Sequence, residues 1–155
     1  MGKGETVLSV VQEMRNLLKE FLKVTSAAPV KPICSKDGRF IRHADGKVDD
    51  SQQKLVWYPT LPERMTWEEA KKQCEKIGCR LPTTRELFSI ADLDKHSPAI
   101  DKEMFPDTKT DDWYWTGDTC PWSAGSARVV LFDLGYVGDF SKGSTNYVRP
   151  VRSSQ

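Results

Sequence analysis

Val7, Val10, Met14, Leu17, Phe21 and Val24 recur at alternating steps of three and four residues, as the a and d positions of a heptad do. The pattern predicts an amphipathic helix over residues 1–24. Val11 and Leu18 widen its apolar stripe, and Leu8 and Leu22 flank it, so the face is broader than a two-stranded seam requires. A helix this short is marginal alone in water. Either its own domain covers the face, or copies of the helix do so in a small homo-oligomer; the pattern leaves both open. Thr25-Ser26-Ala27-Ala28-Pro29, followed by Pro32, ends the periodicity and predicts a linker over residues 25–38.

Beyond the linker the period shortens. Arg39-Phe40-Ile41-Arg42 and Lys47-Val48 flank Asp45-Gly46, a dipeptide suited to the positive φ angles of a tight turn, which predicts a hairpin. Leu55-Val56-Trp57-Tyr58 is a further short strand, closed by Pro59 and Pro62. Two helices then have written starts: Thr66-Trp67-Glu68-Glu69 and Thr83-Thr84-Arg85-Glu86 each spell a capping box. Trp67, Ala70, Cys74 and Ile77 line one face of the first, which Gly78 can end in a left-handed conformation; Leu87, Ile90 and Ala91 line the second. Residues 92–112 carry Pro98 and Pro106 and predict a long irregular loop anchored by Ile100, Met104 and Phe105. Strands follow at Trp113–Trp115, Ala127–Phe132, Tyr136–Phe140 and Asn146–Val151. Two helices beside a small, mostly antiparallel sheet make an α+β domain over residues 39–152.

Composition narrows the function classes. Among 155 residues, acids and bases nearly balance at a net charge of +1, with no basic block to attract nucleic acid. No apolar run approaches the length of a membrane span, so no membrane insertion is expected. Met1-Gly2-Lys3-Gly4-Glu5 lacks the apolar core of a Sec signal. The expectation is a chain cytoplasmic as synthesised, reaching a virion or another surface by some other route. Cys34, Cys74, Cys79 and Cys120 lack zinc-ligand spacing, which leaves buried free thiols or one or two disulfides.

The landmarks then fall into a recognisable series. Arg39-Phe40, Asp45-Gly46-Lys47-Val48-Asp49-Asp50 and Leu55-Val56-Trp57 are followed by Thr66-Trp67-Glu68-Glu69-Ala70 with Cys74, and by Arg80-Leu81-Pro82-Thr83-Thr84-Arg85-Glu86-Leu87. Pro98-Ala99-Ile100-Asp101, Phe105-Pro106, Tyr114-Trp115-Thr116 and Val148-Arg149-Pro150-Val151-Arg152 complete it. In order and spacing the series resembles the DUF1566 domains, from about residue 39 to 152. It departs from them at Cys79, where a Trp is usual, and at Arg128, where an aromatic is common. The resemblance implies a C-type lectin-like fold. Some members are bacterial adhesins; others are variable proteins of diversity-generating retroelements, whose C-terminal codons are mutated to vary a binding surface. It therefore implies a receptor-recognition protein of a virus, phage or microbe whose partner is a protein or glycan on another surface. A non-diversified adhesin or carbohydrate-binding domain is the alternative.

On this reading the last strands divide their labour. Val130, Phe132, Val137, Val148 and Val151 should face the core, while Arg128, Val129, Leu131, Tyr136, Asp139, Phe140 and Asn146 face outward. Asp118, Trp122 and Asp133 join them from loops and strand ends. Tyr and Trp supply contact area at low entropic cost, as in antibody paratopes. The bland alternative is that Trp122 and Phe140 cover a second small core. No catalysis is expected, since Cys120 is the one attractive nucleophile and neither His43 nor His96 lies near it in sequence. No cofactor is expected either, although Asp101, Asp107, Asp111 and Asp112 keep calcium open as an alternative.

Overall fold

The computed structural model describes residues 6–25 and 30–155, which separate into two compact units, Met1–Val30 and Lys31–Gln155. Residues 1–5, the early part of the expected linker (26–29) and the side chains of Val24 and Thr25 lie outside the described residues. In the first unit the heptad-like pattern folds as the helix α1, Val7–Thr25. The second unit begins earlier than residue 39. Ile33–Cys34 form β1, which pairs antiparallel with β2 (Phe40–Arg42), so the last part of the expected linker belongs to a sheet.

The hairpin expected at Asp45-Gly46 joins β2 to β3 (Val48–Asp50). Gly46 takes φ +84°, and the Asp45 carboxylate accepts the Lys47 amide at 3.0 Å, closing the turn as an aspartate does locally. β4 (Leu55–Trp57) and β8 (Val151–Ser153) complete a five-stranded antiparallel sheet in the order β1-β2-β3-β4-β8. β5 (Trp113–Cys120), β6 (Ser123–Leu131) and β7 (Tyr136–Ser141) make a second, three-stranded one. The helices α2 (Trp67–Lys76) and α3 (Thr84–Ser89) begin at the predicted capping boxes. Glu69 accepts the Thr66 amide at 2.9 Å and Glu86 the Thr83 amide at 2.8 Å. The domain is α+β, with two sheets where one small sheet was expected.

Two cores result. One gathers Phe40, Val48, Leu55, Trp57, Leu87, Ile90, Tyr114, Val130, Phe132 and Val151, with Ile100, Met104 and Phe105 anchoring the long loop to it as predicted. The other packs Trp67, Ala70 and Cys74 of α2 against Trp115, Ala127, Val129 and Val148. β5 and β6 therefore lie between them: Tyr114 and Val130 point into the first core, Trp115 and Val129 into the second.

The stretch expected as a strand at Asn146–Val151 is instead an irregular seam between the sheets. Asn146 exchanges two backbone hydrogen bonds with Met65, both 3.0 Å. Tyr147 donates to the Trp113 carbonyl and accepts from the Trp115 amide, 2.9 Å each, gripping β5. Val148 and Pro150 accept from Leu61 and Tyr58, and Val151 then enters the first sheet opposite Trp57. Arg149 turns inward at this seam. Its guanidinium, 1% exposed, donates to Asp107 Oδ1 (2.8 Å), Thr108 Oγ1 (3.0 Å) and the Tyr58 carbonyl (3.1 Å), and lies over the Phe105 ring.

Burial works to raise the Asp107 carboxyl, but the Arg149 charge and hydrogen bond outweigh it and hold the group below its ordinary value of 3.8. A depressed acid stabilises the fold above its unfolded pKa, and that contribution is lost as pH falls through the lower folded value. Asp107→Asn should therefore flatten the fall of stability below about pH 4 in thermal melts. Arg149→Ala should cost more at neutral pH, about 2–3 kcal/mol in denaturant titration, by stripping charged hydrogen bonds from a buried seam.

Candidate ligand-binding surface

β7 is the outer strand of its sheet, and five of its six residues are exposed. Register assigns its side chains to two sides, because directly opposed residues on an antiparallel pair share a face. Leu131 lies between Trp113 and Tyr136, and Ala127 opposes Phe140; these belong to the face that carries Val129 and Trp115. Arg128 opposes Asp139 and Val130 opposes Val137, on the other face.

On the first face Tyr136 (56% exposed) and Phe140 (36%) stand clear of the second core, with Leu131 and Trp113 half-buried beside them. Trp113 meets Phe140 edge-on at 5.6 Å between ring centroids. Gly138 permits this, since a Cβ there would sit 3.1 Å from two carbons of the Trp113 ring. The result is an aromatic ledge running along the strand. Trp113 was not among the residues expected at the surface. The signal for it was the alternation in Trp113-Tyr114-Trp115, which sets it on the same face as Trp115.

On the other face Asp139 is exposed opposite Arg128. The Arg128 guanidinium lies 5.4 Å from the ring centroid of Trp122, which is 67% exposed in the two-residue turn between β5 and β6. Beside them is a cavity of ≈ 430 Å³ lined by Arg85, Thr119, Pro121 and Arg128, among others. Arg85, Thr119 and Pro121 were also missed, for they converge from separate elements and no local pattern links them.

Two of the expected surface residues are buried instead, and two more are half-buried. Val129 is fully buried, because α2 covers the face that simple alternation leaves to solvent. Asn146 is 2% exposed, its backbone pinned to Met65. Asp118 is half-buried: it lines the cavity with Arg85 and Arg128 while accepting from the Thr84 amide (2.7 Å) and hydroxyl (2.6 Å), and so braces the start of α3. Asp133 is half-buried in the β6–β7 turn, its carbonyl taken by the Ser97 and Ala99 amides. In the opposite sense, Val137, expected in the core, is 42% exposed. It opposes Val130, but on the outer strand it lies past the covering elements. Val130, Phe132, Val148 and Val151 are all fully buried, as expected.

Three of the four acids named for calcium are engaged by the chain itself, and Asp111 is exposed. Asp107 pairs with Arg149, Asp112 with Arg64 at 3.3 Å, and Asp101 accepts the Glu103 and Met104 amides. Among the described residues no group of three or more His, Cys, Asp or Glu side chains could hold a metal ion. The four cysteines are free thiols, Cys34 exposed and the others buried. Burial pushes the Cys74 thiol up to about 12 and raises Cys120 above its ordinary range, with Asp139 adding to the latter. No helix of the described residues is long and apolar enough to cross a membrane.

The two-sided burial is testable. Val129→Asp and Val130→Asp should both abolish cooperative unfolding, since an unpaired buried charge costs about 3–5 kcal/mol. Tyr136→Asp should leave the melting temperature within a few degrees, as exposed substitutions shift stability by only about 0.5 kcal/mol.

A search of curated proteins returned no match. A family model does match: residues 46–152 fit the Lcl C-terminal domain, a DUF1566-related family. The match begins at the glycine of the β2–β3 turn and ends in β8, leaving out β1 and β2 but taking in the rest of the first sheet, the whole second sheet and both short helices. The chain belongs to the Lcl C-terminal domain family.

Proposed function

We propose that the domain is a ligand-binding module that recognises a receptor through β7 and the adjoining ends of β5 and β6, on a C-type lectin-like scaffold. The observation that carries the reading is the contrast within one small sheet. The middle of β5 and β6 is buried on both faces, while β7 offers Tyr136, Val137 and Phe140 to solvent. Clustered exposed aromatic and apolar groups usually mark an interaction site. Here the backbone beneath them is held by residues that do not themselves reach the surface.

The sharper form of the proposal is that this surface is diversified by a retroelement in a viral, phage or microbial setting. Arg128, Leu131, Tyr136, Asp139 and Phe140 alternate with or adjoin scaffold positions, so they could change without loss of the fold. A second reading, a non-diversified adhesin or carbohydrate-binding domain, is favoured by the cavity beside Trp122. Its Arg85 and Arg128 groups next to an exposed indole suit a ring that both stacks and accepts hydrogen bonds. Neither reading includes catalysis; the raised Cys120 thiol argues against a thiolate nucleophile at that position.

A glycan and protein array probed with the whole chain tests the proposal. For the ligand found, Tyr136→Ala or Trp122→Ala should weaken binding by about 30-fold, the scale of an interface hot spot, with melting unchanged. Binding unaffected by either change would remove β7 and the Trp122 turn as the site. The retroelement form requires a reverse-transcriptase gene and a template repeat differing at adenines beside the coding region; their absence leaves the adhesin reading.

A further inference from the structure

Val7, Leu8, Met14, Leu17, Leu18 and Phe21 of α1 are each at least 58% exposed, and Val10 and Val11 are 42% exposed. At about 100° per residue these eight cover an arc of about 180°, from Leu17 round to Leu8. A paired coiled coil needs little more than its a/d seam. A dimer would leave Leu8, Val11 and Leu18 in water, whereas a closed bundle of several helices buries residues on both sides of the seam.

The edges of the arc carry opposite charge. Glu13 and Glu20 border it beyond Leu17, and Arg15 and Lys19 border it around Leu8. Lys23 already pairs with Glu20 on the same helix at 2.9 Å, which leaves Glu13 as the main acid at its edge. When copies run parallel around a ring, the acidic edge of each helix meets the basic edge of the next, and Glu13 lies nearly level with the neighbour's Arg15. In an antiparallel arrangement like edges meet. An anionic bilayer, the other broad apolar host, gains little from a face bordered by both signs.

We propose that α1 closes a parallel, cyclic bundle of three or more copies of this chain. The apolar arc supplies the association, and the segregated edges select its direction, since exposed ion pairs contribute little to strength but penalise mismatch. Every chain then leaves the bundle at the same end. Whatever ligand the following domain takes, several copies of it act together, and linked sites gain avidity without new contacts.

Sedimentation equilibrium of the full chain should give three or more times the monomer mass, and Leu18→Asp should reduce it to the monomer while the domain's near-ultraviolet dichroism persists. Direction is read from Val10→Cys in a Cys34→Ser background, treated with a short bis-maleimide. Parallel helices bring these positions together, whereas antiparallel ones separate them by about 18 Å. Cross-linking of Val10→Cys in an assembly of at least three supports the proposal. A monomer, with or without binding to phosphatidylglycerol vesicles, overturns it; so does a dimer, or a larger assembly that fails to cross-link.

Discussion

The constraint on which the domain depends is the seam formed by residues 146–153. Two sheets that share no strand must be held at a fixed distance, and this short segment holds both. Tyr147 exchanges backbone bonds with β5 of the second sheet, and four residues later Val151 enters the first beside Trp57. Between them Arg149 reaches through the interior to Asp107, Thr108 and Tyr58, so that the long loop and the segment after β4 are tied to the same point. A buried guanidinium is costly to desolvate, and its presence is tolerable because carbonyl, hydroxyl and carboxylate oxygens converge on it. Its place in Val148-Arg149-Pro150-Val151 follows: apolar neighbours on either side enter the cores while the arginine crosses between them.

With the seam fixed, the three-stranded sheet becomes a graded object. The middle of β5 and the central part of β6 are sealed above and below, whereas β7 is largely open. A ligand surface built on β7 rests on a base that does not need the surface residues for its own stability. That separation is what a recognition module requires, whether its contacts are constant or varied. The family match extends through the seam to residue 152.

Much of this frame was legible because local chemistry writes it plainly. A threonine three residues before a glutamate announces a helix start, and Asp45-Gly46 announces a turn; neither depends on distant packing. The resemblance carried by Trp67-Glu68-Glu69-Ala70 and Arg80-Leu81-Pro82-Thr83 led to the family for the same reason. The surface was less legible. Alternation says that Val129 and Val130 point in opposite directions, but not that a helix from sixty residues earlier covers the second direction. It likewise places Val137 on the core side without revealing that the core ends one strand sooner. Asn146 reads as polar and therefore outward, yet its main chain is held against Met65 and carries the side chain in. Each miss concerns what covers a face, which is a long-range fact.

The ledge on β7 rests on an absence. The Trp113 indole lies close against the strand because Gly138 has no side chain to push it away, and Phe140 meets that indole at a steep 71° between planes. Any larger residue at 138 would tilt the indole and shift the phenyl ring with it. The most open strand of the sheet therefore contains one position where an added side chain must press its neighbour aside. Whatever side chains neighbour it, the seat of the indole is set by this one small blank.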